Sequence, residues 1–117
     1  MKDYFKDVMS VDGVEGVVLF STKGEVRYSQ VASGSVIDLA AKDWAPFISG
    51  LGDTREADLA FEKMRIYLRR TDDGFLAVLL DFSAPMAMVR LNCDILLPAL
   101  KEAGASKGLG RFFKIKK

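Results

Sequence analysis

The chain has 117 residues, half of them hydrophobic and 28% charged, which suits a single folded domain with a real core and argues against disorder. It contains no histidine and one cysteine, Cys93. Zinc sites built on Cys and His are thereby excluded, together with the usual acid/base of neutral-pH catalysis and an internal disulfide.

In chain order, residues 2–9 read as a short helix, with Tyr4, Phe5, Val8 and Met9 on one face and Asp12-Gly13 after it. No secretory signal is expected after Met1, and no stretch approaches the roughly 18 apolar residues of a membrane span. A cytoplasmic location is expected. Gly16 to Ser21 is a continuous apolar run of strand length. Glu25 to Ser29 alternates polar and apolar residues, so the pair predicts a hairpin turning at Thr22-Lys23-Gly24. Gly24 is expected to take the positive φ of that turn.

A second helix is predicted from Ser35, with Asp38 completing a capping box, to Gly50 or Gly52. At 100° per residue, Val36, Ile37, Ala40, Ala41, Trp44, Phe47, Ile48 and Leu51 cover an arc of about 140°. That is more apolar surface than one sheet face covers. Pro46 is expected to kink the helix or break it near Ala45.

Residues 57–63 alternate, with Leu59 and Phe61 as the apolar side. Residues 65–70 place Ile66 and Leu68 on one face and Arg65, Tyr67 and Arg69 on the other. The join near Lys63-Met64 lacks Gly and Asn, so a single bent strand competes with a hairpin. Asp72-Asp73-Gly74 is a clear hairpin signal. Phe75 to Leu80 is apolar on both faces, as a covered central strand should be. The last helix opens near Ser83-Ala84-Pro85 and ends at Gly104. Its apolar face is expected to hold Met88, Leu91, Asn92, Ile95, Leu96, Ala99 and Ala103, with Arg90 and Asp94 paired on the other side and a bend at Pro98.

The order α-β-β-α-β-β-β-α predicts a three-layer α/β/α sandwich. A five-stranded antiparallel sheet carries the middle helix alone on one face and the first and last helices on the other. The two apolar strands belong at its centre and the third strand at an edge. An apolar edge beside an over-apolar helix invites a second copy, strand to strand and helix to helix. The expected interface is Ile37, Ala41, Trp44, Phe47, Ile48, Leu51, Leu59 and Phe61; for Trp44 an intradomain core position is the equal alternative.

No catalytic, cofactor or metal constellation is found, and the expectation is a protein without enzyme activity. Cys93 reads as structural, Asp72 and Asp73 as turn residues, and Asp81 as a loop or cap residue. Ser21, Ser33 and Ser35 lack a histidine partner. No glycine-rich phosphate loop follows a strand. Arg65, Arg69 and Arg70 could supply an arginine finger, but a solvated face paired with Asp58 or Glu62 is the preferred reading. Residues 1–105 form the expected domain. Residues 106–117 are a tail carrying Lys107, Arg111, Lys114, Lys116 and Lys117 and no acid, with Phe113 and Ile115 alternating. Five cations do not argue for nucleic acid.

The run from Val11 to Phe20 with its Lys23-Gly24 turn, the stretch Leu59 to Glu62 leading through Ile66 to Arg70 and on to Asp73-Gly74-Phe75-Leu76, and the helix from Leu91 to Leu100 together resemble the roadblock / dynein light chain 7 family. That family includes bacterial small-GTPase regulators of the MglB type. The resemblance spans roughly residues 2–104 and rests on the order and spacing of elements. It implies a homodimer formed through the third strand and second helix. It further implies binding to a small Ras-like GTPase, or scaffolding in a signalling or motor complex, with no cofactor. The alternative is a small-molecule sensor of the PAS or profilin-like kind, which would need an internal pocket.

Overall fold

The computed structural model describes residues 2–32 and 44–105. A 3₁₀ turn at Lys2–Phe5 runs into helix α1 (Lys6–Met9). Strands β1 (Val14–Ser21) and β2 (Val26–Val31) follow, then α2 (Ala45–Ser49), β3 (Glu56–Ala60), β4 (Arg65–Thr71), β5 (Gly74–Leu80) and α3 (Met86–Ala105). The strands form one antiparallel sheet in the order β2-β1-β5-β4-β3. The expected α/β/α sandwich is the fold of the chain.

Every residue of β5, and all of β1 except Glu15, is buried. Both strands lie inside the sheet with both faces covered, which is why their sequences do not alternate. One core joins α1 and α3 to the sheet through Phe5, Val8, Val17, Leu19, Tyr67, Leu76, Val78, Val89, Cys93 and Leu96. The other joins α2 to the opposite face through Val18, Phe20, Trp44, Ile48, Ile66, Leu68 and Phe75.

Three joins explain how the elements reach their places. Ser21 is buried, and its hydroxyl accepts from the N–H groups of Lys23 and Glu25, both at 3.1 Å. From the end of β1 it braces the turn that follows. Gly24 has φ +85°, as the hairpin requires, and lies against the backbone of Ala45 at the start of α2. Asp81 accepts from the N–H and hydroxyl of Ser83, at 2.9 and 2.5 Å. These bonds, the hydroxyl's first, hold its carboxyl below the usual value, and of the expected loop or cap duties it performs the loop one, five residues before α3 begins at Met86.

Pro46 falls in the first turn of α2, where a missing N–H costs nothing, and the described helix begins at Ala45. The Ser35 cap and the positions Val36, Ile37, Ala40 and Ala41 lie outside the described residues. At Lys63-Met64 the structure has a hairpin and not a bent strand: the Phe61 N–H donates to the Met64 carbonyl at 2.8 Å. The strand ends at Ala60, so Phe61 leaves the expected apolar side and is 47% exposed in the turn. Ala57 and Leu59 form the inward side instead.

The last helix corrects its expected face. Val89, Cys93, Leu96 and Leu100 are the buried side chains, while Met88, Leu91 and Ile95 are exposed. At 100° per residue the buried face is turned about 90° from the expected one. Two apolar stripes share this helix, and the sheet selects the one with the smaller residues Val89 and Cys93 at its centre. The helix runs unbroken through Pro98. Cys93 is fully buried, and burial pushes its thiol up to about 12, a structural cysteine as expected.

Candidate dimer and partner interface

The site expected from the sequence is the β3 edge with α2 above it. β3 pairs with β4 only, among the described strands. Arg70 N–H donates to the Arg55 carbonyl and Phe61 N–H to the Met64 carbonyl, each at 2.8 Å. In the same register Ala57 faces Leu68 and Leu59 faces Ile66. Hydrogen-bonded pairs alternate in an antiparallel ladder, so the odd positions bond inward. The backbone groups of Glu56, Asp58 and Ala60 point along the open edge.

Side chains sort by the same alternation. Ala57 and Leu59 lie on the α2 face, half-buried against the same core that Phe47 and Leu51 pack on. Trp44 and Ile48 are 7% and 3% exposed, under α2 against the sheet. The indole sits 5.1 Å from the Phe20 ring and 5.8 Å edge-on from Phe47. Within one chain Trp44 is thus a core residue. The surface margin left by the expected set is Phe47, Leu51, Leu59 and Phe61; Ile37 and Ala41 lie outside the described residues.

The loop between α2 and β3 is tied down by Arg70. Its guanidinium donates to the Thr54 carbonyl at 3.0 Å and to that of Gly52, and it stacks 4.6 Å over the Phe75 ring. Arg65 pairs with Asp58 at 2.5 Å, neutralising the one acid in the middle of the open edge. The preferred reading of a paired strand face therefore holds for Arg65, and the other two arginines are also engaged within the chain.

On the opposite face a network missed by the sequence reading fixes β3 to α3. Fully buried Tyr67 donates its hydroxyl to Glu56 at 2.5 Å and accepts from Arg69 at 3.1 Å. Arg69 also bonds Asp94 at 2.7 Å, and Arg90 bonds Glu56 at 2.9 Å. Arg90 and Asp94 were expected to pair with each other along the helix. Each instead reaches a strand, because the rotated helix aims them at β3 and β4. The only sequence signal was a tyrosine among arginines on one strand face.

The Tyr67 hydroxyl, ahead of the Arg90 contacts, lowers the Glu56 carboxyl below its ordinary 4.5. A carboxyl lowered by folding stabilises the fold above its unfolded value, and that contribution is lost as pH falls through the folded value. Tyr67→Phe should therefore lower the melting temperature near neutral pH, by about 1 kcal/mol of stability. It should also flatten the acid side of a melting-temperature profile. An acid limb unchanged from wild type would show that this bond does not contribute to it.

Among the described residues no cluster of acids, Cys or His could hold a metal, and no helix is long and apolar enough to cross a membrane. A groove of about 630 Å³ runs between the C-terminal half of α3 and the strand ends. Leu97 and Leu100 line it, with Arg27, Lys101, Asp72 and Asp73 of mixed sign around them. Asp72 and Asp73 form the two-residue β4–β5 turn, as expected.

No protein-family model and no curated protein matches this chain. Solved structures do match its fold. A gliding protein MglB from Thermus thermophilus superposes with a TM-score of 0.70 at 19% identity, covering 85% of this chain and 84% of that one. A roadblock/LC7 domain from Streptomyces avermitilis gives 0.67 at 20% identity, covering 87% and 92%. An MglB described in a tetrameric arrangement gives 0.71 at 18% identity, covering 85% and 83%. At these identities what is shared is the architecture.

Proposed function

We propose, from the roadblock/LC7 fold as premise, that this chain is a non-catalytic homodimer that binds and regulates a small Ras-like GTPase. The observation carrying the first half is the β3 edge: three outward backbone pairs, one neutralised acid, and an apolar margin on the α2 side. Two copies meeting β3 to β3 bond Glu56, Asp58 and Ala60 across a two-fold axis. They bring Phe47, Leu51, Leu59 and Phe61 against their symmetry mates. Such a contact is isologous and closes. The arrangement in fours described for one MglB supports self-association as a use of this fold. The GTPase half rests on the family resemblance, and any nucleotide belongs to the partner.

Ala60→Pro tests the dimer. The Ala60 N–H points outward, so proline there leaves the β3–β4 ladder intact, as edge strands tolerate. Sedimentation should show the wild type as a dimer and the variant weakened by at least about tenfold, or 1.4 kcal/mol, with little change in melting temperature. A wild type that sediments as a monomer at micromolar concentration refutes the pairing. Gel filtration with a Ras-like GTPase from the same genome, loaded with GTP or GDP, tests the partner: co-elution or a changed hydrolysis rate is expected, and neither would sink the regulatory role.

A further inference from the structure

The side of α3 turned away from the sheet is the surface that this reading leaves unused. Met88, Leu91 and Ile95 are 47%, 51% and 63% exposed, and Pro98, one turn further on, is exposed as well. α3 lies on the sheet face opposite α2, so β3 pairing does not cover these side chains. Their spacings of three, four and three residues keep the period of a two-helix seam over about 15 Å of helix. We infer that this stripe is a second self-contact: α3 of one chain packs antiparallel against α3 of another across a two-fold axis.

Register, charge and area favour a second copy as the occupant. With the axis midway between Leu91 and Ile95, each Leu91 meets the partner's Ile95 and each Met88 meets the partner's Pro98, layer on layer. A proline ring gives up no rotamer freedom when it is covered. One flank of the stripe holds Ala87, Asp94 and Lys101. Asp94 is the charge that comes nearest its own symmetry mate, and Arg69 already neutralises it at 2.7 Å. Lys101 falls opposite the partner's Ala87. The other flank holds Ala99 and Asn92, whose amide donates to the Met88 carbonyl at 2.8 Å within its own helix. The stripe offers a patch of about 300–400 Å² per copy. Two such patches with their flanks bury roughly 1,000 Å², the low end of specific interfaces. The contact is therefore weak, forming at concentrations on the order of hundreds of micromolar, and it does not depend on β3 pairing.

The test is charge complementation in the full-length chain carrying Ala60→Pro, which removes the outward β3 bonds. Leu91→Glu and Ile95→Lys are added to separate chains. Both side chains are at least half exposed, so each variant should keep its melting temperature. Sedimentation at a few hundred micromolar, on the order of the expected dissociation constant, should show the parent self-associating. Either variant alone should associate at least about tenfold more weakly, because each copy sets a charge against an apolar side chain. An equimolar mixture of the two should recover the association. In the mixed pair the introduced carboxylate meets the introduced ammonium, and the second Leu91–Ile95 contact stays apolar. A parent that stays monomeric, or a single variant that associates as the parent does, overturns the contact. Weakened variants with no recovery in the mixture overturn the antiparallel pairing and leave the stripe to a different protein. The decisive comparison is between single variants and their mixture, so its outcome is separate from that of β3 pairing.

Discussion

Replacing Trp44 by alanine is expected to remove about 3–5 kcal/mol of stability and to lower the melting temperature by on the order of 10–20 °C. The indole is 7% exposed and sits between Phe20 of β1 and Phe47 of α2. α2 is only five residues long, far too short to be stable by itself. It stands because Trp44 and Ile48 anchor it to the sheet. Removing the indole opens a cavity that so short a helix cannot span without moving. The comparison variant is Phe61→Ala. Phe61 is half-exposed in the β3–β4 turn, so its loss should leave the single-chain fold within about 0.5 kcal/mol of wild type while weakening dimerisation. Urea melts and sedimentation of both variants separate the two effects. A folded, stable but monomeric Trp44→Ala protein would move the tryptophan from the core to the interface.

Gly24→Ala is expected to cost about 2–5 kcal/mol, combining the left-handed backbone with the crowding of a closed site. A Cβ at this position would stand 2.5 Å from the Ala45 Cα and 2.9 Å from its nitrogen, at φ +85°. The β1–β2 turn and the start of α2 would have to separate, and Trp44 would be displaced with them. Gly52→Ala is the control: its φ is +55° with nothing within 4 Å of the added carbon, so only the backbone cost of about 1–2 kcal/mol applies. Equal losses at the two positions would show that the close approach of turn and helix contributes nothing. The difference between them should also appear in dimer affinity, because α2 carries Phe47 and Leu51 to the interface margin.

The layers were legible because burial leaves a direct mark on composition. β1 and β5 read as unbroken apolar runs since both their faces are covered. β3 read as an edge once those two strands were placed at the centre, and Gly24 marked a turn through a backbone constraint that acts locally. The face of α3 was not legible. Met88, Leu91 and Ile95 make as good an apolar stripe as Val89, Cys93, Leu96 and Leu100, and periodicity cannot choose between two stripes on one helix. Nor does anything local tell Arg90 to seek Glu56, 34 residues away, in place of Asp94 one turn on.

Element order, the central strands, the free edge and the lack of histidine chemistry could all be read from the chain in line, each a property of one residue's backbone or of neighbours within a few positions. The rotation of α3, the burial of Trp44 and the network around Tyr67 were set in three dimensions. These depend on which surfaces compete for the same sheet face, and the winner is chosen by side-chain size and charge on strands distant in the chain.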